Sequence, residues 1–353
     1  MIKVALIPGD GIGSEVVTEA HRVLEAVSAA GAASLSFEYL PHGADHFLST
    51  GETLGDETFA RLRDDFDAIL LGALGDPRVP DDRHARDILL GLRFRLDLFT
   101  NFRPLRLRAP DLSPLATGGD EETDLVIFRE NTEGFYTGSG GILRAGTPQE
   151  VAVSESFATR FGVERIVRAA FDFATADGRT LVTLADKSNA VPHVYGLWRR
   201  AFFEIAAEYA GVEAEARYAD ALAMELVRSP ARFQVIVAEN LLADILSDLG
   251  AELIGGLGLA PSANLHPGRT GLYEPVHGSA PELAGQGIAN PMATVLSAAL
   301  LLRDLGAPAA ADAVEAAVDA ALASGIRTPD IGGSSTCREV GEWLAEAVES
   351  TLS

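Results

Sequence analysis

The chain has 353 residues, 47% of them hydrophobic, and a formal net charge of −23. That length suits two lobes or one large α/β unit. The charge argues against nucleic acid, which needs a basic footprint, while leaving room for an anionic small molecule that responds to the local field. The lone Cys337 forbids an internal disulfide and fits a reducing cytoplasm. Neither a signal peptide nor a membrane-spanning stretch is expected.

Residues 2–7 are a short apolar run, expected as a strand. "IPGDGIGSEV" (7–16) then turns the chain into a helix expected over 14–30, with Val16, Val17, Ala20, Val23, Leu24 and Val27 on one face, Ser14 as N-cap and Gly31 as the stop. Gly9, Gly11 and Gly13 spell G-x-G-x-G, whereas the dinucleotide fingerprint is G-x-G-x-x-G. The trio is therefore a weak nucleotide signal, and a plain strand-to-helix turn explains it equally well. Further strands are expected over 68–73, 124–129, 180–185 and 233–238. Helices are expected over 155–176, 194–210, 241–254, 291–305, 309–323 and 335–352. Residues 108–122, rich in Pro, Gly and Asp, read as a loop. The alternation predicts an α/β fold with a mostly parallel sheet.

Three stretches carry chemistry. In "AENLLADILSDLG" (238–250), Asp244 and Asp248 lie four apart on one helix face. Leu241, Leu242, Ile245, Leu246 and Leu249 around them predict a largely buried helix. A buried carboxylate pair calls for a cation, and oxygen donors favour Mg²⁺ or Mn²⁺. Arg93, Arg95, Arg103 and Arg106 crowd one segment, and Arg129 ends an apolar strand. Guanidinium forks in an acidic protein suit carboxylate ligands, with Arg95 and Arg106 expected in ordinary surface ion pairs. "LYEPVHGSAPELAGQGIANP" (272–291) reads as a loop whose small residues allow backbone N–H groups to approach a phosphate, and whose Glu282 could accept from a ribose diol.

These blocks, with "AILLGALGDP", "LRFRLDLFTNFRP", "RENTEGFYTG", "ADKSN" and "YADALAMELVRSPARF", resemble the metal-dependent β-decarboxylating dehydrogenases, which act on isopropylmalate, isocitrate, homoisocitrate or tartrate. The resemblance runs almost end to end and lies closest to the isopropylmalate branch. It implies the family's two-lobed α/β fold rather than a Rossmann fold, with a mixed, largely parallel sheet and flanking helices. Residues 1–98 and 253–353 would form a nucleotide-binding lobe, and 99–252 a central lobe with the metal and substrate residues and the dimer interface.

The resemblance also implies roles. Arg93, Arg103 and Arg129 would grip the malate carboxylates, and Tyr136 and Lys187 would be catalytic. Asp220, Asp244 and Asp248 would hold Mg²⁺ or Mn²⁺. Glu274, His277, Gly278, Ser279, Ala280, Glu282 and Asn290 would bind NAD, with the Gly9–Gly13 turn beside them. Lys187 and Asp220 would reach in from the second subunit of a homodimer. Leu89 and Leu90 match the leucines that accept the isopropyl group. Isocitrate, homoisocitrate, tartrate or another 2-alkylmalate remain alternative substrates, because "RENTEGFY", Ala243 and Asp186 depart from the commonest isopropylmalate pattern and Arg86 lies near the pocket. A non-catalytic paralogue would be expected to lose the metal Asp, Tyr or Lys, and all of these are kept.

Overall fold

The computed structural model describes residues 1–115 and 123–353; the remainder of the expected 108–122 loop lies outside the described residues. The chain runs β1 (Ile2–Gly9), α1 (Gly13–Ala29), β2 (Leu35–Tyr39), α2 (Ala44–Thr50), α3 (Asp56–Asp64), β3 (Ala68–Ala73), α4 (Arg83–Arg95), β4 (Thr100–Arg106), β5 (Asp124–Glu130), β6 (Gly140–Leu143) and β7 (Val151–Ser154). It continues through α5 (Arg160–Ala176), β8 (Leu181–Asp186), α6 (Pro192–Ala206), β9 (Glu213–Tyr218), α7 (Ala219–Arg228), β10 (Val235–Ala238) and α8 (Asn240–Leu253). It ends in β11 (Pro261–Leu265), β12 (Gly271–Pro275), α9 (Met292–Asp304), α10 (Pro308–Ala323) and α11 (Cys337–Leu352). Among the described residues no helix is long and apolar enough to cross a membrane.

Two compact units result. The first holds Met1–Leu98, the described residues from Pro104 to 115, and Ala251–Ser353; the second holds Phe99–Arg103 and residues up to Gly250 from Thr123. The stretch from Pro104, expected with the central lobe, thus groups with the chain ends.

In the first unit the strands lie in the order β2-β1-β3-β12-β11, parallel except for the β11–β12 pair. This differs from the 3-2-1-4-5-6 order of a Rossmann sheet. β3 reads AILLGA and is buried at all six residues, as a parallel strand covered on both faces should be. α1 packs on α9 and α11 through its apolar stripe. Its N-cap is Ile12, without a side-chain cap; Ser14, expected there, lies inside the helix, its carbonyl accepting from Thr18.

The glycine turn is dictated by close approach. Gly9 and Gly11 have φ of 73° and 55°, and a Cβ on them would lie 1.9 Å from the Ala73 carbonyl and 2.0 Å from the Ser279 carbonyl. The Ile12 N–H donates to that Ser279 oxygen at 2.9 Å. Asp10 is buried and accepts from the Ala44 N–H at 2.6 Å, the Gly75 N–H at 2.8 Å and His84 Nε2 at 2.8 Å. One carboxylate therefore ties the turn to the starts of α2 and α4. Residues 272–275, expected as loop, belong to β12, a wholly buried strand.

In the second unit β5-β10-β8-β9 are all parallel. α5 and α6 cover them with Phe171, Trp198 and Phe202. α5 begins at Arg160 because the Thr159 hydroxyl accepts from the Gly162 N–H, five residues later than expected. β9 reads EAEARY at an edge, so it shows no continuous apolar run. β6 and β7 pair as a separate antiparallel hairpin with every residue exposed.

Candidate active site

The second unit gathers most of the expected chemistry. Arg129 is the penultimate residue of β5, Arg103 lies on β4, Tyr136 sits in a one-turn helix at Gly134–Thr137, and Asp244 and Asp248 lie on α8. Both arginines are buried. Arg129 Nη1 donates to Asp244 Oδ1, and its Nε donates to Asn240 Oδ1 at 2.9 Å. Arg103 Nη1 lies 3.5 Å from Asp244 and 3.6 Å from Asp248, and donates to Ser247 Oγ at 2.6 Å. The Tyr136 hydroxyl donates to Asp244 Oδ2 at 2.7 Å. Asp244 is thus the hub of two guanidinium cations and one phenol.

Burial, followed by the Asp244 carboxylate, raises the Tyr136 phenol above its ordinary value, against the opposing pull of Arg129 and Arg103. It is therefore a protonated donor at neutral pH. The expected burial of the Asp pair needs correction. The Asp244 side chain is 30% exposed and that of Asp248 54%. Of the five apolar residues around them only Leu246 is buried, and Ile245 is 59% exposed. The α8 face carrying both carboxylates is open in one chain.

Lys187 and Asp220 form a second pair, Nζ to Oδ1 at 2.6 Å. The lysine's hydrogen bond holds the Asp220 carboxyl below its ordinary range. Lys187 is one of only two lysines in a chain that otherwise uses arginine. Lysine is the cation that can act as a base. Among the described residues no three His, Cys, Asp or Glu side chains converge as a metal site, so one chain does not bring Asp220 to Asp244 and Asp248.

Sequence reasoning missed Glu130, next to Arg129. It is buried and accepts from the Thr132 N–H at 3.0 Å, the Thr132 hydroxyl at 2.7 Å and the Glu133 N–H at 2.7 Å, shaping the turn that leads to Tyr136. A carboxylate closing an apolar strand was the available signal. Burial pushes its carboxyl from 4.5 up to about 7. The native chain therefore holds this proton more tightly than the unfolded one. The stability this lends is complete below pH 4.5 and is lost as pH rises through about 7, on the order of 3 kcal/mol in all. Chemical denaturation across that window should show a shallower pH slope in Glu130→Gln; an unchanged slope would contradict the assignment.

The first unit places the rest. Arg93, in the last turn of α4, is buried and donates from Nη2 to Glu274 Oε1 at 2.7 Å, which also accepts from Asn264 at 2.9 Å. Glu274, expected at the cofactor, is thus a buried strand residue with an internal partner. Among the described residues Arg93 Nε is buried without a partner. Leu89 packs on the core cluster of α4 and β3, Leu90 is half-buried and Arg86 is exposed. In the loop after β12, His277 Nδ1 lies 2.9 Å from the Gly278 carbonyl, and among the described residues Nε2 is buried without a partner. Burial lowers the pKa of this imidazole. Ser279 is buried, Ala280 has φ of 37°, and Gly278 and Glu282 are exposed. Asn290 is committed internally, donating to Asp330 and accepting from the Met292 N–H. Arg95 and Arg106 pair with Asp56 and Asp319, as expected of surface arginines. A cavity of about 480 Å³ between Asp67, His266–Thr270 and Asp304 holds none of these residues.

The family model described as isocitrate/isopropylmalate dehydrogenase matches residues 3–344. The 3-isopropylmalate dehydrogenase of Beutenbergia cavernae is 46% identical over 346 residues, covering 96% of this chain and 99% of that protein. The enzyme of the same name from Streptomyces griseus is 48% identical, covering 99% of both. Among solved structures, isocitrate dehydrogenase from Methylococcus capsulatus is 37% identical with a TM-score of 0.90, covering 99% of this chain and 100% of that one. A β-decarboxylating dehydrogenase from Thermococcus kodakarensis is 38% identical with a TM-score of 0.80, covering 99% and 97%. At these identities, over essentially the whole chain, the protein belongs to the isocitrate/isopropylmalate dehydrogenase family.

Proposed function

We propose that the protein oxidises and decarboxylates 3-isopropylmalate to 4-methyl-2-oxopentanoate in leucine biosynthesis, with NAD⁺ and Mg²⁺ or Mn²⁺, as a cytoplasmic homodimer with shared active sites. The observation that carries this reading is the cluster of Arg103, Arg129 and Tyr136 on Asp244. Two buried guanidinium groups suit a dicarboxylate, and a protonated phenol beside them suits protonation of carbon. Substrate identity rests on relatives 44–48% identical over nearly the whole chain that are named 3-isopropylmalate dehydrogenase.

Asp244 and Asp248 offer only oxygen donors, which fits a hard divalent cation, and they need further ligands. Asp220 of a second copy would supply one. Exposed Ile245 beside Asp244, and Ile142, Leu143, Val151 and Val153 on the β6–β7 hairpin, supply the apolar surface such a dimer would cover. When bound, the metal would polarise the C2 oxygen and NAD⁺ would accept the hydride. The chain's own groups do the rest. Arg93, Arg103 and Arg129 hold the carboxylates, and Lys187 takes the C2 hydroxyl proton. After CO₂ leaves C3, Tyr136 returns a proton to that carbon. Leu89 and Leu90 receive the alkyl group. A distal carboxylate left unpaired against them would cost more than the roughly 2–7 kcal/mol of an uncharged polar group.

Steady-state kinetics with 3-isopropylmalate, isocitrate and homoisocitrate test the substrate. 3-Isopropylmalate should give the highest kcat/KM. A preference for isocitrate would favour a second reading, supported by the Methylococcus structure and by exposed Arg86 one helical turn before Leu90.

Cofactor choice follows from Glu282. A carboxylate facing the adenosine ribose would lie about 4 Å from the 2′-phosphate of NADP⁺, repelling it by ~4 kcal/mol at an effective dielectric near 20. A third of that is about tenfold in binding. NAD⁺ should therefore exceed NADP⁺ by at least about tenfold in kcat/KM, and Glu282→Lys should narrow the gap. Equal efficiencies in the wild type would show that Glu282 does not face the ribose.

A further inference from the structure

Lys187 stands between two features that the reaction does not itself require. Asp186, the last residue of β8, has a side chain with no exposure. A carboxylate in that position needs donors. It accepts from Arg199 Nε of α6 at 2.7 Å and from the Ser188 N–H at 2.8 Å. The second bond closes an Asx turn around Lys187. On the other side, the Ala190 and Val191 N–H groups both donate to the Lys187 carbonyl, at 3.0 and 2.9 Å. The lysine backbone is therefore fixed from both directions.

The sheet register extends this to Asp220. Asp186 is paired with Tyr218 across β8 and β9. The Arg199 guanidinium carbon lies 5.2 Å from the centroid of the Tyr218 ring. One arginine thus grips both members of the last rung: a carboxylate on one strand by hydrogen bond, a ring on the other by a cation–π contact. Lys187 follows the first member by one residue and Asp220 follows the second by two. Their side chains meet at 2.6 Å.

We infer that Asp186, Arg199 and Tyr218 form a positioning clamp that sets the distance between Lys187 and Asp220 and orients Lys187 for the proton transfer at C2. The inference rests on the proposed function above. Arg199 is a positioning residue because it acts through Asp186 and Tyr218. Lysine keeps its charge but lacks the planar Nε fork and the flat stacking face, so Arg199→Lys should be a partial substitute only.

Arg199→Met alone leaves a buried unpaired carboxylate and is prone to misfold. The test variant is therefore Asp186→Asn with Arg199→Met, which removes both charges while the asparagine carbonyl still accepts from the Ser188 N–H. Tyr218→Leu is the second variant, with the ion pair intact. In the full-length enzyme, kcat for 3-isopropylmalate should fall about a hundredfold in the double variant, as for a catalytic group displaced by about 1 Å. KM should stay within about twofold, since no substrate contact is removed. Tyr218→Leu and Arg199→Lys should fall between this variant and wild type.

A second readout needs no substrate. Acylation of Lys187 by an amine reagent, measured by mass spectrometry against the other lysine, Lys3, should be faster in the double variant because the pair with Asp220 is loosened. A folded double variant with wild-type kcat and wild-type Lys187 acylation would overturn the clamp. Wild-type enzyme inactive on 3-isopropylmalate would instead overturn the functional reading, and the acylation rates would then decide the clamp alone.

Discussion

Asp244→Ala should abolish turnover at ordinary Mn²⁺ concentrations while leaving a folded protein. Asp244 is at once the proposed metal ligand, the partner of Arg129 and Arg103, and the acceptor of the Tyr136 hydroxyl. Lewis-acid stabilisation is worth several kcal/mol of barrier. At about 1.4 kcal/mol per tenfold, that alone is roughly a hundredfold or more in kcat. The side chain is 30% exposed, so its removal opens no sealed cavity, and the buried Arg129 and Arg103 keep Asn240 and Ser247 as acceptors. Two readouts besides activity accompany the loss. Mn²⁺ should raise the melting temperature of the wild type but not of the variant, since ligand at about a hundred times Kd adds ~2.7 kcal/mol. The Tyr136 phenol should titrate at lower pH, because a raising influence is gone while Arg129 and Arg103 still pull it down. Full activity of the wild type in EDTA would contradict the metal assignment.

Lys187→Met should lower kcat by about 10²–10⁴, the usual range for removing a general base. KM for 3-isopropylmalate should change little, because the carboxylates are assigned to arginines. The same variant tests whether sites are shared. A mixture of Lys187→Met and Asp244→Ala subunits, unfolded and refolded together, should recover up to about a quarter of wild-type activity, since a mixed two-fold dimer rebuilds one intact site of two. No recovery, with mixed dimers verified by mass, would mean that Lys187 acts with Asp244 of its own chain.

How much of this was legible in the sequence depended on what each residue had to do locally. β3 and β10 are buried along their whole length and so read as apolar runs. β2 and β9 are edge strands, half-buried and rich in polar residues, and left no such trace. Helix starts were misplaced where tertiary bonds decide them. Asp10 and Ser279 hold the turn before α1, so Ser14 was never needed as a cap. Asp244 and Asp248 were visible through their spacing. Their exposure was not, because surrounding leucines imply burial in a chain but do not say whether that chain or a second copy provides it. The loop expected at Glu274 was misplaced for the opposite reason: its motif is a loop motif, yet the residue itself belongs to a buried strand and pairs with Arg93. The Asp186–Arg199 contact joins a strand end to a helix thirteen residues on, and no local pattern announces it.

The proposed reaction couples an oxidation and a decarboxylation at one metal-dependent site. It is tested most directly by incubating the purified enzyme with 3-isopropylmalate, NAD⁺ and Mn²⁺, and measuring NADH and CO₂ together. Both should form in equal amounts, each abolished by EDTA and restored by Mn²⁺. NADH without CO₂, or undiminished formation of both in EDTA, would contradict it.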